Sequence, residues 1–164
     1  MADDILGWTQ FAIKLEEKGI KFYTQVYEAS IDRNVKELFL FLINAEKQHK
    51  EALQKLLSGF TDGDDKLVAQ SIKSYMGIKQ KLPIFRDADL DEIKKTQSLM
   101  KKFNKAMDLE LEGMAFYSGL VLKAKDPLLK RLFKKLAGEE LKHKQAIERL
   151  GFSMIGVVKS GESF

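Results

Sequence analysis

Apolar residues recur at intervals of three and four along most of this chain, the period of helices that bury one face. Leu38, Phe39, Leu42, Leu53 and Leu56 form one such stripe, and Leu129, Leu132, Phe133, Leu136, Ile147 and Leu150 form another. Ala12, Ile13, Ile20, Tyr23 and Tyr27 make a third, and Phe103, Ala106, Met107, Met114, Tyr117 and Val121 a fourth. The pattern predicts an all-α chain, with helices over about 4–29, from the turn at Ser30 to Asn34 on to about Leu57, over roughly 96–124, and from Asp126 to just before Gly151. Ser58-Gly59 supplies a glycine stop. Asp126-Pro127 supplies an N-cap followed by proline in the first turn. Residues 58–95 are too many for a tight turn and are predicted as one long crossover. Within it Asp65 to Met76 has helical spacing, Leu82-Pro83 is a break, and Asp89-Leu90-Asp91-Glu92 resembles a capping box. A crossover of this length allows the second and third long helices to run parallel, giving a four-helix bundle of two hairpins, about 4–57 and 96–150. One domain over 1–164 is expected, with a tail at 151–164 that docks or frays.

Each stripe is interrupted at mid-length by acid. Glu16, Glu46, Glu110 and Glu140 fall on inward positions, and the chain's two histidines, His49 and His143, each follow a glutamate by three residues. Residues three apart on a helix share a face, so Glu46 with His49, and Glu140 with His143, can each grip one ion. An offset of 94 residues superposes Glu16 on Glu110, Tyr23 on Tyr117, Glu46 on Glu140 and His49 on His143, with no gap. Amphipathicity alone would align leucines. It would not also align both histidines and both tyrosines.

Four carboxylates in an apolar core repel one another and are costly to desolvate unless paired or protonated. The stripes carry no lysine or arginine near the glutamates. Two divalent cations would balance four carboxylates, with neutral imidazoles completing the shell. Such ions are expected at bundle mid-height, about 3.5–4 Å apart. Imidazole and carboxylate without sulfur suit iron or manganese, and zinc can occupy the same donors. A redox-active pair of irons is favoured, because paired ions deliver two electrons together. Taken singly, each motif has a blander explanation: a solvated Glu–His pair, or a tyrosine that only fills core. Their symmetric arrangement favours the metal site. Gly19 and Gly113 also match across the repeat, and either close helix packing or room beside the metals explains them equally.

Composition narrows the alternatives. There is no cysteine among 164 residues, which excludes thiolate zinc, iron–sulfur and rubredoxin-type centres within this chain. The net charge of +4 arises from 28 basic and 24 acidic residues interspersed along helices, so neither a nucleic-acid footprint nor a polyanion site is expected. Met1-Ala2-Asp3-Asp4 shows neither a basic n-region nor an apolar h-region, and no apolar run is long enough for a span. A cytoplasmic protein without membrane contact is expected.

These motifs resemble the ferritin-like di-iron carboxylate proteins, in particular the rubrerythrin family. The resemblance covers nearly all of residues 4–150 and rests on Glu16 with Tyr23, Glu46-x-x-His49, Glu110 with Tyr117, and Glu140-x-x-His143. It implies a ferritin-like fold and two bound irons. Glu46 and Glu140 would bridge them, Glu16 and His49 would end one coordination shell, and Glu110 and His143 the other. Tyr23 and Tyr117 would hydrogen-bond ligand carboxylates. Rubrerythrins typically add a cysteine-bound rubredoxin domain, and place an extra glutamate three residues after the third-helix ligand. This chain has no cysteine, has Gly113 at the second place, and carries Glu112 about 100° around the helix. The resemblance therefore implies reduction of hydrogen peroxide or dioxygen with an external electron-donor protein. A bacterioferritin-like ferroxidase or iron-handling protein is the alternative, and a metal-free helical interaction module is a third possibility.

The repeat breaks where Leu40 and Phe41 face Lys134 and Lys135. Residues 38–43 are apolar beyond what one inward stripe needs, so something must cover this second face. A two-fold homodimer is expected there, with the crossover near Leu82 to Phe85 as the rival cover.

Overall fold

The computed structural model describes residues 2–85 and 96–161, with side chains described over 4–85 and 98–154. Among these, five helices and no strand occur: α1 (Ala2–Ala29), α2 (Arg33–Asp62), α3 (Asp65–Met76), α4 (Thr96–Lys123) and α5 (Pro127–Gly161). The most extensive contacts are α1 with α2 and α4 with α5, the two expected hairpins. These meet through α1 against α4 and α2 against α5, and α3 lies on α2 and α5. The result is an all-α, ferritin-like four-helix bundle with a helix-bearing crossover.

Local chemistry fixes most boundaries. Asp32 caps α2 by accepting from the Val35 amide at 2.8 Å, and Asp64 caps α3 by accepting from the Leu67 amide at 2.9 Å. Asp126 accepts from the Leu128 and Leu129 amides at 2.7 and 2.9 Å, ahead of Pro127 as the first helical residue. Two helix ends differ from expectation, and both differences arise at glycines. Helix α2 runs past Gly59 to Asp62 and stops at Gly63, whose φ of 65° is left-handed. A Cβ on Gly59 would lie 2.7 Å from Val68 Cγ2, so this glycine admits α3 against α2. Helix α5 likewise continues through Gly151 to Gly161, well into the expected tail. A Cβ on Gly151 would lie 3.1 Å from the Phe103 ring, so Gly151 brings α5 close to α4. The expected capping box at Asp89–Glu92 lies outside the described residues.

Two apolar clusters fill the bundle. One gathers Leu53, Leu56, Ile72, Tyr117, Leu120, Leu132 and Phe133. The other gathers Tyr23, Leu38, Phe39, Leu42, Phe103, Ile147 and Leu150, with Phe41, Leu82 and Phe85 packed against it. Leu82 and Phe85 of the crossover thus pack on the cluster to which α2 contributes, while Leu40 stays 44% exposed. On each long helix the inward acids fall between the residues of one cluster and those of the other, so an apolar plug closes either end of a polar middle layer.

Candidate metal centre

All six predicted ligand residues converge in that middle layer. His49 and His143 are fully buried, and Glu16, Glu46, Glu110 and Glu140 are no more than 4% exposed. The imidazole rings lie nearly parallel with centroids 5.5 Å apart. His49 Nδ1 is 2.9 Å from Glu46, 3.1 Å from Glu140 and 3.4 Å from Glu16. His143 Nδ1 is 3.3 Å from Glu110 and 3.4 Å from Glu46. Two groups of donor atoms result, each within 4.8 Å of one another and able to hold an ion. One is Glu16, Glu46, His49 and Glu140, and the other is Glu46, Glu110, Glu140 and His143. Glu46 and Glu140 belong to both.

Whether these atoms suit a metal is decided by what they lack. Glu46 Oε2, His49 Nδ1, Glu110 Oε2, Glu140 Oε1 and His143 Nδ1 are buried and make no hydrogen bond. The short approaches above are thus misdirected for hydrogen bonding. A buried polar group without a hydrogen bond costs about 1–3 kcal/mol, more if charged, and bound cations would satisfy all five of these atoms at once. Cations fit the donor set.

The electrostatics agree. Burial, then the Glu46 charge, pushes the Glu16 carboxyl up to about 8. Burial and the neighbouring carboxylates push Glu140 well up. Burial would also raise Glu46, but His49 and His143 outweigh it and hold Glu46 well below the usual carboxylate range. Burial lowers an imidazole, yet Glu110 and Glu46 lift His143 to about 9. His49 is lifted well above its ordinary value by Glu46 and its other acidic neighbours, against the same burial. Without cations, protons do their work of neutralisation.

The tyrosines cross between hairpins. Tyr23 of α1 donates to Glu110 Oε1 of α4 at 2.7 Å, and Tyr117 of α4 donates to Glu16 Oε1 of α1. Burial and adjacent carboxylates push both phenols well above their ordinary range, so they remain donors. The matched glycines are not equivalent. A Cβ on Gly19 would make ordinary contact, 3.5 Å from the Tyr23 ring, whereas one on Gly113 would press on Glu140 Oε2 at 3.1 Å and Cδ at 3.2 Å. The space beside Gly113 is occupied by the Glu140 carboxylate.

An outer layer was missed by sequence reasoning. Glu139, buried, accepts from Tyr75, lies 2.9 Å from Lys135 Nζ and places Oε2 3.3 Å from His49 Nε2. These contacts outweigh burial and hold its carboxyl down to about 2. Gln80 stands between the imidazoles, its Oε1 2.8 Å from His143 Nε2 and its Nε2 3.2 Å from His49 Nε2. Lys135 also donates to the Ile78 carbonyl at 2.7 Å, pinning the crossover to α5. Periodicity held a signal for Glu139, three residues after Leu136 and four before His143. Tyr75 lies on the predicted crossover helix, three residues after Ile72, but outside the repeat, and Gln80 lies beyond that helix, where periodicity gives no signal.

An all-α ferritin-like bundle around a buried carboxylate–histidine cluster defines the class: helical bundles whose core side chains can hold a metal ion. The Rubrerythrin family model matches residues 9–103, more than half of the chain, and the chain belongs to that family. That match includes Glu16, Tyr23, Glu46 and His49 but stops short of Glu110, Tyr117, Glu140 and His143, which the internal repeat and the geometry bring to the site. Comparison with curated proteins and with solved structures finds no match. No helix among the described residues is long and apolar enough to cross a membrane.

Proposed function

We propose that this chain is a di-iron oxidoreductase that reduces hydrogen peroxide or dioxygen with electrons from a separate donor protein. The observation that carries this reading is the set of five buried donor atoms without hydrogen bonds, spread over two ligand groups that overlap at Glu46 and Glu140. Glu16 and His49 would hold one iron, Glu110 and His143 the other, and Glu46 and Glu140 would lie between both. Manganese or zinc could substitute on the same donors. A ferrous pair supplies two electrons in one encounter, matching the demand of a two-electron oxidant.

The chain's own contributions are positional. Tyr23 and Tyr117 tie down one oxygen each of Glu110 and Glu16, leaving the second oxygen of each free to ligate. The two apolar clusters exclude bulk water from both ends of the layer, which strengthens every charge interaction within it. A metal-free interaction module has no use for five buried donors without hydrogen bonds, and the site argues against it. The ferroxidase reading keeps one specific support: ligands paired across both hairpins, with Gly113 where a redox-mobile glutamate would otherwise stand.

We place the protein in the cytoplasm as a homodimer paired through the exposed part of α2. The deciding experiment loads apoprotein anaerobically with Fe(II), then mixes it with peroxide or dioxygen in a stopped-flow cell. Stoichiometric oxidation by peroxide, followed by re-reduction from a donor protein, is the expected result. Multiple iron turnovers per site under dioxygen, or a cage-sized particle, would replace this reading with the ferroxidase. Failure to bind iron removes both.

A further inference from the structure

The six ligand residues form matched pairs, but the groups behind the two histidines do not match. Glu46 and Glu140 belong to both donor groups. Glu16 and Glu110 each accept one tyrosine hydroxyl and are equivalent in that respect. Both imidazoles aim Nδ1 into the cluster, so each must send Nε2–H outward to act as a neutral ligand. His143 Nε2–H donates to the Gln80 amide oxygen, 2.8 Å away. His49 Nε2 is within hydrogen-bond distance of the Gln80 nitrogen, at 3.2 Å, and 3.3 Å from the Glu139 carboxylate; with Nδ1 as ligand and the proton on Nε2, only the carboxylate can accept. One histidine therefore rests on an anion and the other on a neutral amide. Their ring neighbours differ too, since Tyr75 packs edge-on to His49 and Phe41 edge-on to His143.

The asymmetry is built by residues that lie outside the repeat or break it. At the 94-residue offset Glu139 falls on Ala45, a buried residue with no acceptor to offer. Lys135 falls on Phe41. Lys135 offsets part of the Glu139 charge, but it addresses Oε1, whereas Tyr75 and His49 meet Oε2. The negative end of that pair thus faces His49. A carboxylate behind a ligand histidine fixes the ring and increases its donor strength more than an amide does.

We infer that Glu139 and Gln80 are positioning residues that make the two metal positions unequal, so that the Glu16–Glu46–His49–Glu140 group fills before the Glu46–Glu110–Glu140–His143 group. This rests on the metal-site reading above, and the test separates the two. Apoprotein is titrated anaerobically with Co(II), followed by calorimetry and by the visible absorption of the bound ion. Two steps are expected, the first at least about tenfold tighter than the second. His49→Ala should abolish the tight step and His143→Ala the weak one. Glu139→Gln keeps the shape while removing the charge. It should weaken the first step about 10–100-fold, change the absorption of the first equivalent, and leave the second within about threefold. Gln80→Leu should do the reverse. Lys135→Met guards against a packing artefact, because it disturbs the same spot but leaves the carboxylate, and should retain the tight first step. Two equal steps in the wild type, loss of the tight step in His143→Ala, or equal weakening of both steps by Glu139→Gln overturns the inference while leaving a metal centre in place. Absence of any Co(II) binding overturns the centre itself.

Discussion

The two hairpins present nearly the same inward face and differ in what stands behind it. Hairpin α1–α2 brings Glu16, Tyr23, Glu46 and His49, and hairpin α4–α5 brings Glu110, Tyr117, Glu140 and His143. Each tyrosine reaches across to the other hairpin's glutamate. Neither hairpin completes a donor group alone, since both groups draw on Glu46 and Glu140 together. Away from the ligands the likeness ends. Helix α5 carries Lys135 and Glu139 where α2 carries Phe41 and Ala45, and Gly113 touches Glu140 where Gly19 merely passes Glu46. The likeness is confined to residues that converge on one cluster, while packing against the crossover and solvent sets the rest.

The largest effect should come from breaking what the hairpins share. Glu46→Ala and Glu140→Ala are each expected to abolish retention of both ions. Glu16→Ala and Glu110→Ala should each leave one, as measured by metal analysis after anaerobic Fe(II) loading and desalting. If Glu46→Ala retained two ions, the overlapping-group description would be wrong. Loading itself should raise the melting temperature of the wild type, because the ions bind the folded chain and replace protons and unpartnered donors. At a free ion concentration of a hundred dissociation constants one site adds about 2.7 kcal/mol.

Proton linkage is next in size and has opposite signs for the two forms. Without metal, Glu16 is raised to about 8 and His143 to about 9, so the folded chain binds more protons than the unfolded chain. Stability from such groups is complete below their unfolded values and is lost as pH rises through the folded ones. The apoprotein should therefore lose stability between about pH 5 and 9. Metal affinity should rise over the same window, since the protons being displaced become easier to remove. Parallel melting curves at pH 6 and pH 8.5, with and without Mn(II), check this. Parallel slopes for both forms would contradict it.

Much of this arrangement was legible in the sequence because burial and helical period are coupled. Glu46 and His49 had to share a face, and Glu16 had to interrupt an apolar stripe, whatever the loops did. The ends of α2 and α5 were not legible for the same reason in reverse. Gly59 and Gly151 resemble helix stops, yet their lack of a side chain is used for the close approach of Val68 and Phe103, a tertiary fact invisible locally. Glu139 was legible by its spacing from Leu136 and His143 but has no counterpart in the repeat, and Gln80 was hidden by lying on an irregular segment whose path depends on Lys135 holding the Ile78 carbonyl.

The glycines offer a sharper comparison. Gly19→Ala adds a methyl with ordinary contacts, and alanine suits a helix better than glycine by about 1 kcal/mol, so apoprotein stability should rise modestly. Gly113→Ala must displace the Glu140 carboxylate. Because Glu140 belongs to both groups, affinity for both ions should fall while helicity by circular dichroism is unchanged. Equal metal affinity in the two variants would show that Glu140 is not held where Gly113 leaves room.

The smallest effect on the fold should come from Leu40→Glu, at the position where the outer faces of the hairpins diverge most plainly. Leu40 aligns with Lys134 in the repeat and is 44% exposed, so a charge there meets solvent in an isolated chain. Surface substitutions of this kind change stability by no more than about 0.5 kcal/mol. Phe41 would be a poorer probe, because its ring lies edge-on to His143 and packs against the buried cluster. If α2 pairs with α2 of a second copy, the two-fold axis brings the substituted patches of both chains together, and like charges there oppose association. Sedimentation velocity at micromolar concentration should then show a dimer for the wild type and a folded monomer for the variant, with matching circular dichroism. A wild-type monomer would leave Leu40 as a solvent-facing residue and assign the cover of α2 to the crossover alone.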